Sequence, residues 1–290
     1  MQFRNRIEEI RRISSQYGIA LRKNQGQCFL INEQIADYII EQAELDASRD
    51  VVLEIGPGFG ILTQKLLERS KNTIAIEIDH KITQYLRNVK FSNQDTVQFI
   101  TKDALKTSFP SHSRLVSNVP YQISGPLIQK IIISEEKADL IILMLQEEFI
   151  LRMNAPPQAK GYGRLSVLSQ LFFHMELLRK VPKIDFYPQP EVQSGIIKLK
   201  FNPKFMQHPN IPQFIEFLAG IFPYKNKIIP KALNFLIHNL EIFSNLDFLR
   251  NLELNRVIEV GLKNKRVWQL TPLEIWNFFN SLLTYMQSDN

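Results

Sequence analysis

Three glycines after a short apolar run are the first residues whose types and spacing suggest chemistry. The run VVLEI at 51–55 is followed by Gly56, Gly58 and Gly60, and then by a stretch with helical spacing. Glycines between a strand and a helix let the backbone turn tightly and approach a ligand closely. No Gly-Lys-Ser/Thr follows, which excludes a Walker A loop. A dinucleotide, S-adenosylmethionine and a purely structural turn all remain compatible with this motif alone.

Acidic residues end the next two predicted strands. Glu77 closes TIAIE, where a carboxylate can accept from two ribose hydroxyls, and Asp103 follows the third strand beside Ala104. A carboxylate at Asp103 can accept from the exocyclic amino group of an adenine; alternatively, Asp103 only caps a helix. Because parallel strands end at the same edge of a sheet, the three strand ends together predict a site for an adenosine-containing cofactor.

The fourth strand end carries an amide, a rigid turn and an aromatic ring in succession: Asn118, Val119, Pro120 and Tyr121. An adenine N6 is a weak nucleophile because its lone pair is delocalised into the ring, so methylation needs acceptors on the amino group. The Asn118 amide oxygen and the Val119 carbonyl can accept, with Pro120 holding that carbonyl outward. Tyr121 can stack on the base, which must be unpaired or flipped out. Alternatively, Asn118 forms a strand-end turn and Tyr121 packs in the core.

Alternating apolar runs and helical stretches predict how these strand ends are positioned. Helices between the runs indicate a mostly parallel α/β sheet, with strands at 51–55, 73–79, 96–101, 114–117 and 138–145. The runs at 171–181 and 194–201 have no helix between them and predict an antiparallel edge. After a proline-punctuated linker at 202–212, only helices are predicted, at 213–222, 228–240, 255–262 and 271–283. We therefore predict a Rossmann-like domain over 1–201 and a small all-helical domain over 202–290.

Positive charge is concentrated near the two ends of the chain. Of the net +6, residues 1–30 hold six basic and two acidic residues, and residues 198–266 hold eleven basic and five acidic residues. Basic ends around an acidic centre favour binding of a polyanion, and a basic surface without a partner is the alternative. If a polyanion binds, we expect the N-terminal arm and the C-terminal helices to hold it.

Composition narrows the class of protein. The apolar content of 44% is that of an ordinary globular protein, and no run reaches the length of a membrane span. A single cysteine, Cys28, excludes an internal disulfide and fits a reducing compartment. The N-terminus lacks the apolar core of a signal peptide, and Glu8 and Glu9 disfavour a mitochondrial presequence. We predict a cytoplasmic protein without a metal site.

The chain resembles the small-subunit ribosomal RNA adenine dimethyltransferases. Motifs in the order of that family are NQGQCFL (24–30), EIGPGFGILT (54–63), IEID (76–79), KDAL (102–105), NVPYQIS (118–124), MLQEE (144–148), KGYGRLSVLSQ (160–170), DFYPQPEVQSG (185–195), KNKIIPKALNFL (225–236) and KRVWQLTPLEIW (265–276). The resemblance implies a Rossmann-like methyltransferase domain. It also implies S-adenosyl-L-methionine-dependent dimethylation of N6 on two adjacent adenosines, in a hairpin loop near the 3′ end of small-subunit rRNA. S-adenosyl-L-homocysteine would be the product, a pre-ribosomal particle the partner, and the protein a monomer.

The resemblance also assigns roles to residues. It implies cofactor contacts from Gln27, Cys28, Leu30, Gly56, Gly58, Glu77, Asp103, Ala104 and Asn118, although Cys28 departs from the family's usual Asn or His. Phe186 would pack on the target base opposite Tyr121, completing a catalytic set with Asn118, Val119 and Pro120. RNA contacts would come from Arg22, Lys23, Tyr162, Arg164, Lys225, Lys227 and Lys231, with a structural role as the alternative for Tyr162 and Arg164.

Three rival functions remain at this point. One is the related large-subunit rRNA adenine methyltransferase, against which NVPYQISGPL and the C-terminal motifs argue. Another is a catalytically silent RNA- or DNA-binding protein, such as a ribosome-assembly factor or a methyltransferase-like transcription factor, which the intact Gly56, Glu77, Asp103, Asn118 and Tyr121 disfavour. The third is an NAD-dependent oxidoreductase, for which the sequence shows no hydride-transfer partner.

Overall fold

The computed structural model describes residues 2–21, 28–206, 208–250, 258 and 261–288. The chain forms two compact units. The first unit comprises Met1–Ile150 and His174–Phe201, and the second comprises Leu151–Phe173 and Asn202–Asn290. The predicted boundary at 202 coincides with one division, but the segment 151–173, predicted as part of the first domain, belongs to the second unit.

A seven-stranded sheet is the centre of the first unit. The chain forms nine strands in its described part: β1 (Phe29–Leu30), β2 (Val51–Ile55), β3 (Asn72–Glu77), β4 (Val97–Thr101), β5 (Arg114–Asn118), β6 (Leu140–Gln146), β7 (Phe173–Val181), β8 (Phe186–Tyr187) and β9 (Ser194–Phe201). The order in the large sheet is β4-β3-β2-β5-β6-β9-β7, and β1 pairs with β8 in a separate two-stranded sheet. The first five strands of that order are parallel, and β9 is antiparallel to β6. The predicted mostly parallel sheet with an antiparallel edge is confirmed.

Helices between the strands cover the sheet. They are α1 (Gln2–Tyr17), α2 (Glu33–Gln42), α3 (Ile61–Leu67), α4 (His80–Tyr85), α5 (Ser124–Ile133) and α6 (Glu147–Met153). The α1 helix was not predicted from the sequence, although its apolar residues recur at helical spacing, with Ile10 and Ile13 buried beside Phe3 and Ile7. The side chain of Asn32 caps α2 by accepting from the Gln34 N–H at 2.9 Å.

The apolar pattern of the strands explains their place in the sheet. Every residue of β6 from Leu140 to Leu145 is buried, as expected for a central strand covered on both faces. On one face, α2 and α3 pack against a cluster that includes Val52, Val116 and Ile142. These contacts fix the strand ends that the sequence indicated as functional.

The second unit is helical in its described part, apart from one isolated β-bridge and the first residue of β7. Its helices are α7 (Arg164–Phe172), α8 (Ile211–Ile221), α9 (Ile229–His238) and α10 (Pro272–Ser288). Aromatic rings form much of its core, with Trp276 touching Phe172, Phe205 and Phe214 edge-on. Thr271 and Glu274 form a capping box at the start of α10. The helix predicted at 255–262 falls mostly outside the described residues.

One predicted strand proved to be shorter than expected. The run at 171–181 was predicted as a strand, but Leu171 and Phe172 close α7 and only the residues from Phe173 form β7.

Among the described residues, no helix combines the length and apolar character needed to cross a membrane.

Candidate active site

The site begins where neighbouring strands of the first unit separate. β2 and β5 are paired only through Val52 with Arg114 and Leu53 with Leu115, so they diverge toward their carboxyl ends. The Ser117 hydroxyl donates to the Ile55 carbonyl at 2.6 Å, which satisfies a backbone acceptor where the ladder stops. The strand that follows β2, β3, lies on one side of this pair, and the strand that follows β5, β6, lies on the other. Open α/β sheets bind ligands in such crevices.

Two of the three glycines are required by close approaches in this crevice. Gly56 has a φ of +70°, and a Cβ there would lie 3.0 Å from Cγ of Pro120. Gly58 has a φ of +55°, and its Cβ would lie 2.8 Å from the Phe29 ring. A side chain at either position would therefore be strained in its backbone and would collide with a neighbour. The glycines bring the NVPY segment and the residues after Cys28 against the loop after β2.

A cavity of about 210 Å³ lies at the carboxyl ends of β2, β3, β4 and β5. Six of the predicted cofactor residues line it, namely Cys28, Gly56, Glu77, Asp103, Ala104 and Asn118. Val119, Pro120 and Tyr121 line it as well. The structure therefore brings the four strand ends that the sequence singled out to one cavity.

Glu77 contributes a buried carboxylate to the cavity wall. Burial raises the pKa of Glu77, and the backbone N–H groups of Asp79 and Gly58 oppose this effect by favouring the charged form. The Asp79 N–H donates to Oε1 at 3.0 Å. A carboxylate accepts up to about four hydrogen bonds, so capacity remains for hydroxyl donors of a ligand. Next to it, Ile78 is 69% exposed and gives the cavity an apolar wall.

Asp103 caps a turn and also lines the cavity. Its Oδ1 accepts from the Leu105 N–H at 2.9 Å, and its carbonyl accepts from the N–H groups of Lys106 and Thr107. It therefore caps a turn while also lining the cavity beside Ala104. A cap of this kind fixes the orientation of the carboxylate.

The NVPY segment is held by its backbone while two of its acceptors stay unoccupied. The Val119 N–H donates to the Met144 carbonyl at 3.1 Å, and the Pro120 carbonyl accepts from Ile123 at 3.0 Å. The Asn118 Nδ2 donates to the Cys28 carbonyl at 3.4 Å, which directs the amide. No group among the described residues donates to the Asn118 Oδ1 or to the Val119 carbonyl. An amino group between these two oxygens would have two acceptors.

Tyr121 is fixed by a bond that the sequence did not indicate. Its hydroxyl is 2.6 Å from Oγ of the buried Ser194, the first residue of β9. Burial raises the pKa of Tyr121 to about 12, so the hydroxyl stays protonated at neutral pH. The two residues are 73 positions apart, and only the antiparallel pairing of β9 with β6 brings them together.

Three predicted contacts do not face this cavity. Phe186 is 2% exposed and packs in the core cluster with Leu30, because Leu30 and Phe186 are opposite each other in β1 and β8. The expected stacking of Phe186 on a base opposite Tyr121 is therefore wrong for this structure. Leu30 lines only a small adjoining pocket of about 20 Å³. Gly58 contributes its backbone N–H, which donates to the Glu77 carboxylate.

The predicted RNA-contacting residues fall into three groups. Tyr162 is 1% exposed and its hydroxyl donates to the Leu270 carbonyl at 2.7 Å, so its predicted RNA contact is wrong and its role is structural. Lys225 donates to the Tyr162 carbonyl at 3.0 Å and is partly engaged in the same structure. Arg164 opens α7, and Lys227 and Lys231 are exposed. Arg22 and Lys23 lie outside the described residues, as does Gln27, which was predicted as a cofactor contact.

One buried acid beside the site escaped the sequence analysis. Glu54 in β2 accepts from the Thr63 hydroxyl at 2.7 Å, and burial raises its pKa to about 8. It lines the small adjoining pocket with Gly56 and Asn118. An acid inside an apolar strand was the available signal, because such a residue must be paired or neutral when buried.

Comparison with known proteins places the chain in a family. The family model described as ribosomal RNA adenine dimethylase matches residues 18–259. A protein of Pyrococcus abyssi named probable ribosomal RNA small subunit methyltransferase A is 38% identical over 262 residues, which cover 90% of this chain and 91% of that protein. A protein of the same name from Methanosarcina acetivorans is 36% identical over 88% of this chain and 91% of its own length.

Solved structures agree with this assignment. The crystal structure of a dimethyladenosine transferase from Plasmodium falciparum aligns with a TM-score of 0.73 and 29% identity, over 90% of this chain and 98% of that one. The 23S rRNA methyltransferase ErmE aligns with a TM-score of 0.60 over 88% of this chain and 99% of its own, and at 24% identity it supports the fold alone. This chain therefore belongs to the ribosomal RNA adenine dimethylase family.

Proposed function

We propose that this protein transfers methyl groups from S-adenosylmethionine to N6 of two adjacent adenosines, in the hairpin loop near the 3′ end of small-subunit rRNA. The observation that carries the proposal concerns two acceptors, the Asn118 Oδ1 and the Val119 carbonyl, at the wall of the cavity that Glu77 and Asp103 also line: no group in the described part of the chain donates to either. Family membership supports the reaction type. In this proposal the substrate is rRNA in a pre-ribosomal particle, and the protein acts in the cytoplasm as a monomer.

The residues of the cavity fit S-adenosylmethionine. Glu77 offers a carboxylate for the two ribose hydroxyls, Asp103 offers one for the adenine amino group, and Ile78 offers an apolar surface for the ring. Gly56 has no side chain, so the rest of the cofactor can approach the backbone there. When bound, S-adenosylmethionine supplies an electrophilic methyl group on a sulfonium that needs no acid to leave.

The NVPY residues act on the amino group of the target base. Hydrogen bonds from N6 to the Asn118 Oδ1 and the Val119 carbonyl draw the amino group toward tetrahedral geometry and aim its lone pair. The Tyr121 ring stacks on the base, and Ser194 keeps that ring in place. Orientation of this kind can contribute on the order of 7–11 kcal/mol to a reaction barrier. The proton of N6 leaves to water after transfer, because neither acceptor is a strong base.

The test uses small-subunit ribosomal particles that lack dimethyladenosine. After incubation with the protein and S-adenosylmethionine, mass spectrometry of RNA digests should find dimethyladenosine at two adjacent positions of the hairpin loop. Large-subunit particles are the matched control and should remain unmodified. Methylation of the large-subunit RNA alone would identify the related large-subunit enzyme, and bound but unmodified small-subunit RNA would identify a silent binding protein.

A further inference from the structure

Two stacked rings lie at the surface of the second unit, far along the chain from the NVPY segment. The rings of Tyr224 and Phe235 are nearly parallel, at 14°, with their centroids 4.6 Å apart. Tyr224 ends the turn at 222–224, and Phe235 lies in α9. We call Tyr224 and Phe235 the ring pair.

Phe235 points away from the core of its own helix. The apolar residues of α9 that face the core are Ile229, Ala232, Leu233 and Leu236, all of them buried. Phe235 is on the other side and is 44% exposed. The Tyr224 ring covers one face of the phenyl group and limits its movement. A fixed, exposed phenyl ring is a suitable platform for a nucleobase, because every base has a face that can stack.

Two lysines without partners flank the ring pair. Lys231 lies one helical turn before Phe235 on the exposed side of α9, and the Lys227 N–H donates to the Tyr224 carbonyl at 2.8 Å. Among the described residues, neither lysine side chain makes a hydrogen bond or an ion pair. By contrast, Lys225 binds the Tyr162 carbonyl and Lys265 binds Glu274. The positive charges of Lys227 and Lys231 are therefore available to a ligand.

The net charge of the second unit indicates which ligand fits. Its residues include twelve basic and seven acidic ones, so this unit holds most of the net +6 of the chain. An exposed ring beside unpaired lysines matches a nucleotide, which presents a flat base and an anionic phosphate. A protein partner would need an exposed apolar surface, but not the flat face of an aromatic ring.

We propose that the ring pair, with Lys227 and Lys231, is a second RNA-binding site for one unpaired nucleotide outside the NVPY cavity. The base stacks on Phe235 and the lysines bind the adjoining phosphates. This rests on the proposed function only in that RNA is the substrate. The site would position RNA without touching the reacting atoms.

The full chain and a fluorescent oligouridine of about ten nucleotides test the base contact. Uridine is used so that the adenine-specific cavity contributes little to binding. Phe235→Ala and Phe235→Leu should each weaken binding by about 5- to 150-fold, which corresponds to about 1–3 kcal/mol, while Phe235→Trp should bind as the native protein does. Ile242→Ala, which removes another exposed apolar side chain of this unit, is the control and should have no effect. Thermal melting confirms that each variant is folded.

The lysines are tested by the salt dependence of the same binding. Lys231→Gln should reduce the slope of log affinity against log salt by about 0.7, the value for one phosphate on a single strand. Lys71→Gln removes an exposed lysine at the start of β3 and should leave the slope unchanged. An unchanged slope in Lys231→Gln would overturn the phosphate contact.

Two results would overturn the base contact. Native affinity in Phe235→Ala would show that the ring pair does not bind RNA. Native affinity in Phe235→Leu with loss in Phe235→Ala would show a general apolar contact, as for a protein partner. Methyl transfer to small-subunit particles, measured on the native protein, separates this proposal from the proposed function. If the native protein methylates the particles while Phe235→Ala binds normally, the second site is refuted and the function stands.

Discussion

The large sheet uses buried polar residues in opposite ways at the amino ends and at the carboxyl ends of its strands. At the edge where strands begin, Asp50 and Arg114 are both buried, with 3.4 Å between the guanidinium and the carboxylate. The Asp50 carboxylate also accepts from the Ser113 hydroxyl at 2.8 Å and from the Asp46 N–H at 2.8 Å. Arg114 donates in addition to the Ala43 carbonyl at 3.2 Å. The polar groups of this edge satisfy one another.

At the edge where strands end, the polar groups are only partly satisfied. Glu77, Asp103 and Asn118 each have a local bond that orients the side chain, and each retains acceptor capacity toward the cavity. Unused capacity in a buried polar group costs stability unless a ligand fills it. Buried polar groups where the strands begin therefore stabilise the fold, whereas those where the strands end retain acceptor capacity toward the cavity.

Removing the buried arginine should give the largest effect on stability. Arg114→Ala leaves Asp50 buried without its partner, and we expect a loss of about 3–5 kcal/mol in the free energy of unfolding. Urea denaturation measures this loss. Arg49→Ala is the matched control, because Arg49 forms an exposed ion pair with Asp46 and should cost no more than about 1 kcal/mol. If the two variants lost equal free energy of unfolding, the buried contacts between Arg114 and Asp50 would contribute no more than an exposed ion pair.

Removing the carboxylate at the other edge should affect binding rather than stability. Glu77→Ala should weaken S-adenosylmethionine binding by about 10- to 150-fold, because charge-assisted hydrogen bonds contribute about 1.5–3 kcal/mol. Calorimetric titration measures the affinity. The melting temperature should change little, because relief of a buried acid offsets the cost of leaving the Asp79 and Gly58 N–H groups without an acceptor. Glu68→Ala, at an exposed position after α3, is the control. Unchanged affinity in Glu77→Ala would refute the cofactor assignment.

Glu54 tests what happens to a buried acid that lacks an arginine. It lies in the same strand that Asp50 precedes, but its partner is the Thr63 hydroxyl, and its pKa is raised to about 8. Between its ordinary pKa of 4.5 and 8, the folded protein keeps a proton that the unfolded chain releases. Stability should therefore fall as pH rises through this window, by up to about 1.4 kcal/mol per pH unit.

The measurement is the free energy of unfolding at pH 5.5 and pH 7.5. Both values lie below the lowered pKa of the nearby Lys90, about 8, so titration of that lysine contributes little. Glu54→Gln should remove the part of the pH dependence that Glu54 causes, and Glu135→Gln, at an exposed position, should not. An identical pH dependence in Glu54→Gln and the native protein would show that Glu54 is ionised in the fold.

The bond between Tyr121 and Ser194 predicts a smaller, coupled effect. If only the Tyr121 ring acts, by stacking on the base, Tyr121→Phe keeps most activity and Tyr121→Ala loses it. The bond at 2.6 Å modifies this expectation. Tyr121→Phe and Ser194→Ala should each lower kcat by about 2- to 10-fold, corresponding to a hydrogen bond of about 0.5–1.5 kcal/mol. The double variant should be no slower than either single one. Additive losses would show that the two hydroxyl groups act independently.

The sequence predicted the features that depend on neighbours along the chain. Strand ends at Glu77, Asp103 and Asn118 could be located because apolar runs stop there and polar residues follow. The parallel sheet followed from helices between those runs, and the cavity followed from parallel strands ending at one edge. The cap at Thr271 could likewise be predicted from a four-residue pattern.

Features that depend on distant contacts could not be predicted. Phe186 is buried because β8 pairs with β1, more than 150 residues earlier, and its aromatic type suits either a core or a base. Tyr162 is buried against distant parts of the second unit, where its hydroxyl donates to the Leu270 carbonyl and its ring packs edge-on against Phe222. The partner of Tyr121 depends on the register of β9 against β6. No local pattern carries this information.

The measurement that tests the account most directly is the single-turnover rate of methyl transfer by Asn118→Ala. It should be made with saturating S-adenosylmethionine, because the Asn118 side chain also contacts the Cys28 carbonyl and we expect some cofactor affinity to be lost with it. Loss of one acceptor that acts in the transition state should lower the rate by about 10²–10³-fold. The melting temperature and the RNA affinity should stay near those of the native protein. A well-folded Asn118→Ala protein that methylates adenosine at the native rate would contradict the account.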